Sequence, residues 1–295
     1  MERRIWIYDA FTKELFKGNP AGVMLDADGM NEEAMQSVAK ELGYPETVFL
    51  SKGAEGRIKV RFFTPKEEVD LCGHATIAYG TALVESGMIE VCEGDNQLDM
   101  ETNLGVLPII ITIRDKKIEN VMMYQGFPKI DKEFVLDKNE LAQCLNIPAD
   151  SFSDEIEIVK AYTGIWDLMI PLKRKETLNE IVGDMKKITT LSEKLGIISL
   201  HPFYMERGEE TRLYARNFAP IVEIDEEAAT GTSNGALIYY LYTIDEIGAG
   251  ELVTVTQGEK LGRKSEITGK IQIKDGRLDV LIGGTAVKFL EGIMK

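Results

Sequence analysis

The chain has 295 residues, enough for two domains of ordinary size or one large one. Its 44% hydrophobic and 28% charged residues exclude a disordered chain. Lys and Arg number 34 against 49 Asp and Glu, and the resulting net charge of −15 argues against nucleic acid or an anionic membrane as partner, because both need a basic footprint.

In chain order, the segment from Arg4 to Phe11 has strand composition, and Asp9 and Lys13 interrupt it before the apolar core of a signal peptide could form. A turn centred on Gly18-Asn19-Pro20 leads to a second strand from Ala21. Asn31 to Leu42 reads as an amphipathic helix, with Asn31 as N-cap, Met35, Val38, Ala39 and Leu42 as the apolar stripe and Gly43 as the stop. A loop at Tyr44-Pro45-Glu46 precedes a strand over Thr47–Leu50, and further strands are expected at Ile58–Phe63, Ile109–Ile113 and Val121–Tyr124. The tail from Gly248 reads as closing strands, with turns at Lys274-Asp-Gly and Gly283-Gly.

Two stretches, Leu71–Val84 and Ala228–Ile244, carry no charge at all. A surface helix is charged on one face, so a helix without charge on any face should be enclosed by protein, here by flanking strands. An internal repeat supports that reading. Arg61-Phe-Phe-Thr-Pro65 is echoed by Arg216-Asn-Phe-Ala-Pro220, and each is followed by an acidic stretch, a glycine and an uncharged helix. The pattern predicts a duplicated α+β chain with a pseudo-two-fold axis and a boundary near Phe127-Pro128. The expected domains are 1–128 and 129–295, with the last strand free to return to the first.

No charge-free run reaches the roughly 20 apolar residues that a membrane helix needs. Cys72, Cys92 and Cys144 form no CxxC pair, and His74 and His201 lie far apart, so neither a disulfide framework nor a structural zinc site is expected. The expected location is the cytoplasm. No GxxxxGK[ST] or GxGxxG follows a strand, which removes the phosphate-loop and dinucleotide readings.

The chemistry is sought at the two helix starts. First-turn amides are unpaired and partly positive, so Gly73 and Gly231 would offer backbone to a small carboxylate in a cleft between the halves. His74 is either a packing histidine or a proton carrier whose neutral form the helix start should favour. Glu46 is either a solvated loop residue or, raised by apolar surroundings, a group that takes and returns a proton. Glu226 and Glu227 read as a solvated run from which one carboxylate reaches the second helix start. Cys72 is a small buried hydrophobe or a thiol whose pKa the helix start would lower.

Gly18-Asn-Pro-Ala-Gly-Val, the Glu46-Thr-Val-Phe passage, Asp70-Leu-Cys-Gly-His-Ala-Thr76 and Glu226-Glu-Ala-Ala-Thr-Gly-Thr232, in that order, resemble the PhzF (phenazine biosynthesis-like) family over nearly the whole chain. The resemblance implies a diaminopimelate epimerase-like fold, α+β, with two pseudo-symmetric domains, each a β-barrel-like sheet around a central helix. It implies a cofactor-independent isomerase without metal, acting on a small anionic metabolite and compatible with a homodimer. By the same resemblance Glu46 is the acid/base that moves a proton between carbons, with His74 and Glu227 assisting, and Asn19, Cys72, Gly73, Thr230, Gly231 and Thr232 bind substrate. Two departures stand out: Glu227 replaces the family's usual Asp, and Thr232 its usual Ser. An amino- or hydroxy-acid epimerase and a non-catalytic metabolite-binding protein are the alternatives. Paired-thiol epimerisation is disfavoured because Ala229-Thr230-Gly231 supplies no second sulfur.

Overall fold

The computed structural model describes residues 2–208 and 211–295. Strands β1 (Arg3–Ala10) and β2 (Asn19–Met24) precede helix α1 (Glu32–Leu42), followed by β3 (Glu46–Lys52), β4 (Ile58–Phe63), β5 (Glu68–Val69) and helix α2 (Gly73–Glu85). Next come β6 (Gly94–Thr102), β7 (Gly105–Arg114), β8 (Lys117–Tyr124), β9 (Lys129–Asp131), α3 (Lys138–Leu145), β10 (Val159–Tyr162) and β11 (Trp166–Pro171). After α4 (Lys175–Glu180) and α5 (Met185–Leu195) run β12 (Ser199–Glu206), β13 (Arg212–Ala215) and α6 (Gly231–Thr243). Strands β14 (Val253–Gln257), β15 (Ser265–Lys274), β16 (Arg277–Gly284) and β17 (Ala286–Met294) close the chain. The fold is the α+β, diaminopimelate epimerase-like one. No helix among the described residues is long and apolar enough to cross a membrane.

The chain divides into two compact units, one of Met1–Tyr124 with Gly283–Lys295, the other of Gln125–Ile282. In the first unit the pairings run β17–β1–β2–β3–β4–β6–β7–β8, with β2–β3 and β4–β6 parallel and the others antiparallel. Helix α2 touches β1, β2 and β3 and also β17 and β8, the two ends of that order, so the sheet curls round it. Ten consecutive residues of α2, His74 to Leu83, are buried, which is why none of them is Asp, Glu, Lys or Arg. Helix α1 covers the outer face of the same sheet through Met35 and Ala39 against Met24, Phe49 and Phe63. Its Asn31 side chain accepts from the Ala34 amide, and Gly43 ends it at φ 67°.

In the second unit β9–β10–β11–β12–β13–β14–β15 are joined, with β11–β12 and β13–β14 parallel. Helix α6 touches β10, β11 and β15 and is buried at nine positions, the counterpart of α2. Helices α3, α4 and α5 lie on the opposite face, where Leu141, Leu145, Leu178, Ile188 and Leu191 pack on Leu168, Ile170, Leu200 and Phe218.

Two expected turns are corrected. Asn19 and Pro20 already belong to β2, paired with Ala10 and Asp9, so the chain reverses before them. Gly283-Gly284 ends β16 instead of turning, and a Cβ on Gly283 would come within 2.4 Å of the Val121 carbonyl oxygen. Close backbone approach explains that glycine.

Candidate active site

In the first unit the parallel pairing of β2 and β3 sets Ala21 opposite Glu46, so Asn19 and Glu46, the first residues of their strands, reach the same edge of the sheet. Helix α2 begins there. Cys72 is its extended N-cap residue, and Thr76 bonds back to the Cys72 carbonyl through both its amide, 3.0 Å, and its hydroxyl, 2.7 Å. Gly73 opens the helix beside a largely buried His74.

The His74 ring is bracketed. Its Nε2 lies 2.9 Å from Glu46 Oε2, and its Nδ1 lies 3.4 Å from both Cys72 Sγ and the Asn19 amide nitrogen. Either end of the Asn19 amide can face a ring nitrogen, so it serves a neutral or a protonated ring. Glu46, Cys72 and His74 each offer a ligand atom within 4.8 Å of the others. Cys72 Sγ lies 3.4 Å from Nδ1 and 3.8 Å from Nε2, while Glu46 Oε2 faces Nε2.

All three pKa expectations for this cluster are reversed. Burial pushes Glu46 towards its neutral form, but the neighbouring His74 charge and hydrogen bonds from His74 and Cys72 outweigh it, and the carboxyl ends below its ordinary 4.5. Burial pulls His74 down; Cys72 and Glu46 outweigh it, and the ring ends well above 6.5. Burial pushes the Cys72 thiol above its ordinary 9.0, aided by the Glu46 carboxylate. A thiol held that high is uncharged at neutral pH, so Glu46 is the partner that keeps His74 protonated. A helix start alone would have favoured the neutral ring and the thiolate; the Glu46 carboxylate reverses the first and burial the second.

In the second unit Thr230 is the extended N-cap residue of α6 and Gly231 its first residue. The Thr230 hydroxyl bonds Glu227 Oε2 at 2.8 Å, so Glu227 is the carboxylate that reaches this helix start. Glu226 turns the other way into a bidentate pair with Arg216. The Thr232 carbonyl accepts from the Thr163 hydroxyl at 2.8 Å. The helix starts match in detail: Asn234 bonds back to the Thr230 carbonyl from its side chain, 2.8 Å, as Thr76 does to Cys72. Thus Asn19, Glu46, Cys72, Gly73 and His74 gather in the first unit, and Glu227, Thr230, Gly231 and Thr232 in the second.

A family model described as "Phenazine biosynthesis-like protein" matches residues 8–292. The chain belongs to the phenazine biosynthesis-like (PhzF) family. It is 33% identical to the Bacillus subtilis "Uncharacterized isomerase YfhB", over 100% of this chain and 99% of that one. It is 26% identical to the trans-2,3-dihydro-3-hydroxyanthranilate isomerase of Pseudomonas aeruginosa, over 98% of both chains. A Bacillus anthracis phenazine biosynthesis protein of the PhzF family superposes with a TM-score of 0.89 at 30% identity, over 100% of this chain and 99% of that one.

Residues to which the sequence reading gave no site role also lie around the second helix start. Asn217, His201, Asn234 and Gln257 are buried and hydrogen-bonded to one another, to Thr230 or to Glu227. The available signals were a polar Asn234 inside an otherwise apolar helix and Asn217 inside the repeated Arg-x-Phe motif. His201 and Gln257 carried no local signal.

Proposed function

We propose that this PhzF-family member is an isomerase that moves a proton between carbons of a small carboxylate-bearing metabolite, with Glu46 as the single acid/base. The observation that carries this reading is the 2.9 Å contact between Glu46 and His74 beside the first turn of α2. Glu46, held below its ordinary value, is a carboxylate at neutral pH and able to accept a proton. A carbon α or γ to the substrate carboxylate would lose its proton to Glu46, and the electron pair would delocalise into the π-system. Glu46, whose carboxyl proton exchanges with solvent, then protonates another carbon, so composition is unchanged. Protonated Glu46 beside an imidazolium is a strong acid, which favours that second transfer. First-turn amides at Gly73 would hold the substrate carboxylate, as unpaired N–H groups at a helix start do. Glu227, fixed by Thr230, would assist with polar groups of the substrate.

The test is solvent-deuterium incorporation into a panel of acids: trans-2,3-dihydro-3-hydroxyanthranilate, named for one relative, and simple 2-amino and 2-hydroxy acids. Glu46→Gln should abolish incorporation while thermal shift still reports binding. Undiminished incorporation in that variant removes Glu46 from the role. Binding without exchange by the unaltered protein would favour a metabolite-binding protein instead.

A further inference from the structure

The polar groups behind Glu227 form a chain whose direction is fixed by two backbone carbonyls. Gln257 Nε2 lies 2.8 Å from the Glu227 carbonyl oxygen, which can only accept, so the amide nitrogen of Gln257 is on that side. The same nitrogen donates to Thr230 Oγ1 at 3.1 Å. Thr230 Oγ1 therefore spends its own hydrogen on Glu227 Oε2, 2.8 Å away. Asn234 Nδ2 lies 2.8 Å from the Thr230 carbonyl oxygen, which fixes the second amide, and also donates to Gln257 Oε1 at 2.7 Å.

Asn234 Oδ1 is then left facing His201 Nε2 at 3.3 Å. An oxygen there requires a hydrogen on Nε2. His201 is fully buried, and burial pulls its pKa down from 6.5 to about 4, so at neutral pH the ring carries one proton only. Its Nδ1 must accept, and Asn217 Nδ2 stands 3.1 Å away, sharing its hydrogens among His201, Ser199 at 2.8 Å and Ser233 at 3.0 Å. The circuit closes on itself, because the Glu227 amide donates to the Asn217 carbonyl at 3.0 Å.

We propose that His201 is a positioning residue for Glu227, acting as the neutral Nε2–H imidazole at the head of a one-way hydrogen-bond chain through Asn234, Gln257 and Thr230. The inference rests on the reading of Glu227 as part of an isomerase site, and it adds a residue 26 positions upstream that touches neither Glu227 nor, on this reading, the substrate. Each member has one orientation compatible with its neighbours, so reversing any link reverses the next. A buried network of that kind specifies one geometry when every group is satisfied. Loss of the head would leave the buried Asn234 Oδ1 without its donor, and the cost of that unpaired oxygen would pull against the carbonyl anchors and loosen the Thr230 hydroxyl from Glu227.

The first test needs no substrate. The chain has two histidines, so a ¹⁵N-histidine spectrum of the intact protein holds two rings, and comparison with His201→Gln assigns them. His201 is expected to show a protonated Nε2 and a bare Nδ1 from pH 5 to 8. A protonated Nδ1 or an imidazolium in that range overturns the proposal. The second test uses whichever panel acid exchanges deuterium. His201→Leu should lower kcat on the order of tenfold to a hundredfold, the cost of a misplaced group, with KM within about threefold. His201→Gln, which keeps a donor near the ε position, should recover most of that loss. Equal losses in the two variants, or wild-type kcat in His201→Leu, overturn the proposal. Absence of exchange in the unaltered protein with every acid would count against the isomerase reading, and the nitrogen spectrum would still decide the state of His201.

Discussion

Arg216 grips Glu226 with two parallel bonds, Nε to Oε1 at 2.8 Å and a terminal nitrogen to Oε2 at 2.7 Å, five residues before Gly231 opens α6. In the first unit Arg61 grips Glu68 the same way, again five residues before the helix glycine. Each guanidinium also lies over the phenylalanine two residues on, Phe218 and Phe63. The repeated Arg-x-Phe motif is thus a clamp on the segment that delivers each helix start.

The second clamp is the drier one, with both side chains about 10% exposed against 17% and 19% in the first. Glu226→Ala would leave the Arg216 charge buried with the Leu178 and Ile181 carbonyls and the Phe218 ring as its partners among the described residues. We expect a loss of about 3–5 kcal/mol, the usual cost of stranding one member of a buried pair. Glu68→Ala should cost less, because water reaches that arginine more easily. Urea titration of the two variants checks the ranking, and an equal or reversed order would contradict it.

The Glu46–His74 contact predicts a pH window. A carboxylate held below its unfolded value of 4.5 adds stability above that pH and loses it as pH falls through the folded value. A histidine raised above 6.5 adds stability that is complete below 6.5 and lost as pH rises through its folded value. The pair therefore contributes in full between about pH 4.5 and 6.5. Glu46→Gln should destabilise most in that window and should move the His74 titration to lower pH. NMR titration of the His74 ring protons measures the second effect directly, and an unmoved midpoint would refute the coupling.

Cys72 separates the isomerase reading from a thiol-based epimerase. Its sulfur is buried and its pKa is raised, so a thiolate nucleophile or base is scarce at neutral pH. Cys72→Ala should keep deuterium exchange within about tenfold of the wild type, since Glu46 and His74 still meet. Loss of exchange in Cys72→Ser together with its survival in Glu46→Gln would transfer the acid/base role to the thiol.

Helices α2 and α6 were legible because enclosure excludes unpaired charge, whereas a surface helix with so long a charge-free run would turn an apolar face to water. The clamps were half legible: the arginine motif repeats in sequence, but three extra residues in the second copy hide that Glu226, and not Glu227, answers Glu68. Helices α3, α4 and α5 were missed. Helices α3 and α4 are short, and α5 runs through Ile188, Thr189 and Thr190, poor helix formers that Asp184 and Gly196 nevertheless cap at either end. The candidate site residues could be named from motifs, yet their protonation could not, because the group that sets His74 lies 28 positions away in sequence and 2.9 Å away in space. His201 was invisible for the same reason: its meaning resides in side chains converging from separate strands and a helix.

Asp167 and His201 give opposing pH slopes that two variants should separate. Asp167 is fully buried on β11, with Ser199 donating to Oδ1 at 2.6 Å and Oδ2 lacking an aligned donor among the described residues. Burial pushes it from 3.8 to about 7 against the pull of the Ser199 and Ser233 hydroxyls, with Glu227 adding to the rise. Between those values the folded state holds a proton that the unfolded state has released, so this group lowers stability as pH rises, by roughly 4 kcal/mol in all. His201 does the reverse between pH 4 and 6.5, where the unfolded state holds the extra proton, for roughly 3 kcal/mol. The two slopes nearly cancel over that shared range. Relative to the wild type, Asp167→Asn should therefore gain stability as pH is raised from 4 to 7, and His201→Gln should lose it from 4 to 6.5. Urea unfolding at about pH 4.5, about pH 5.5 and about pH 6.5 samples the range in which both groups change their proton count, and so reads both differences. Parallel curves for Asp167→Asn and the wild type would mean that Asp167 is ionised in the folded protein throughout.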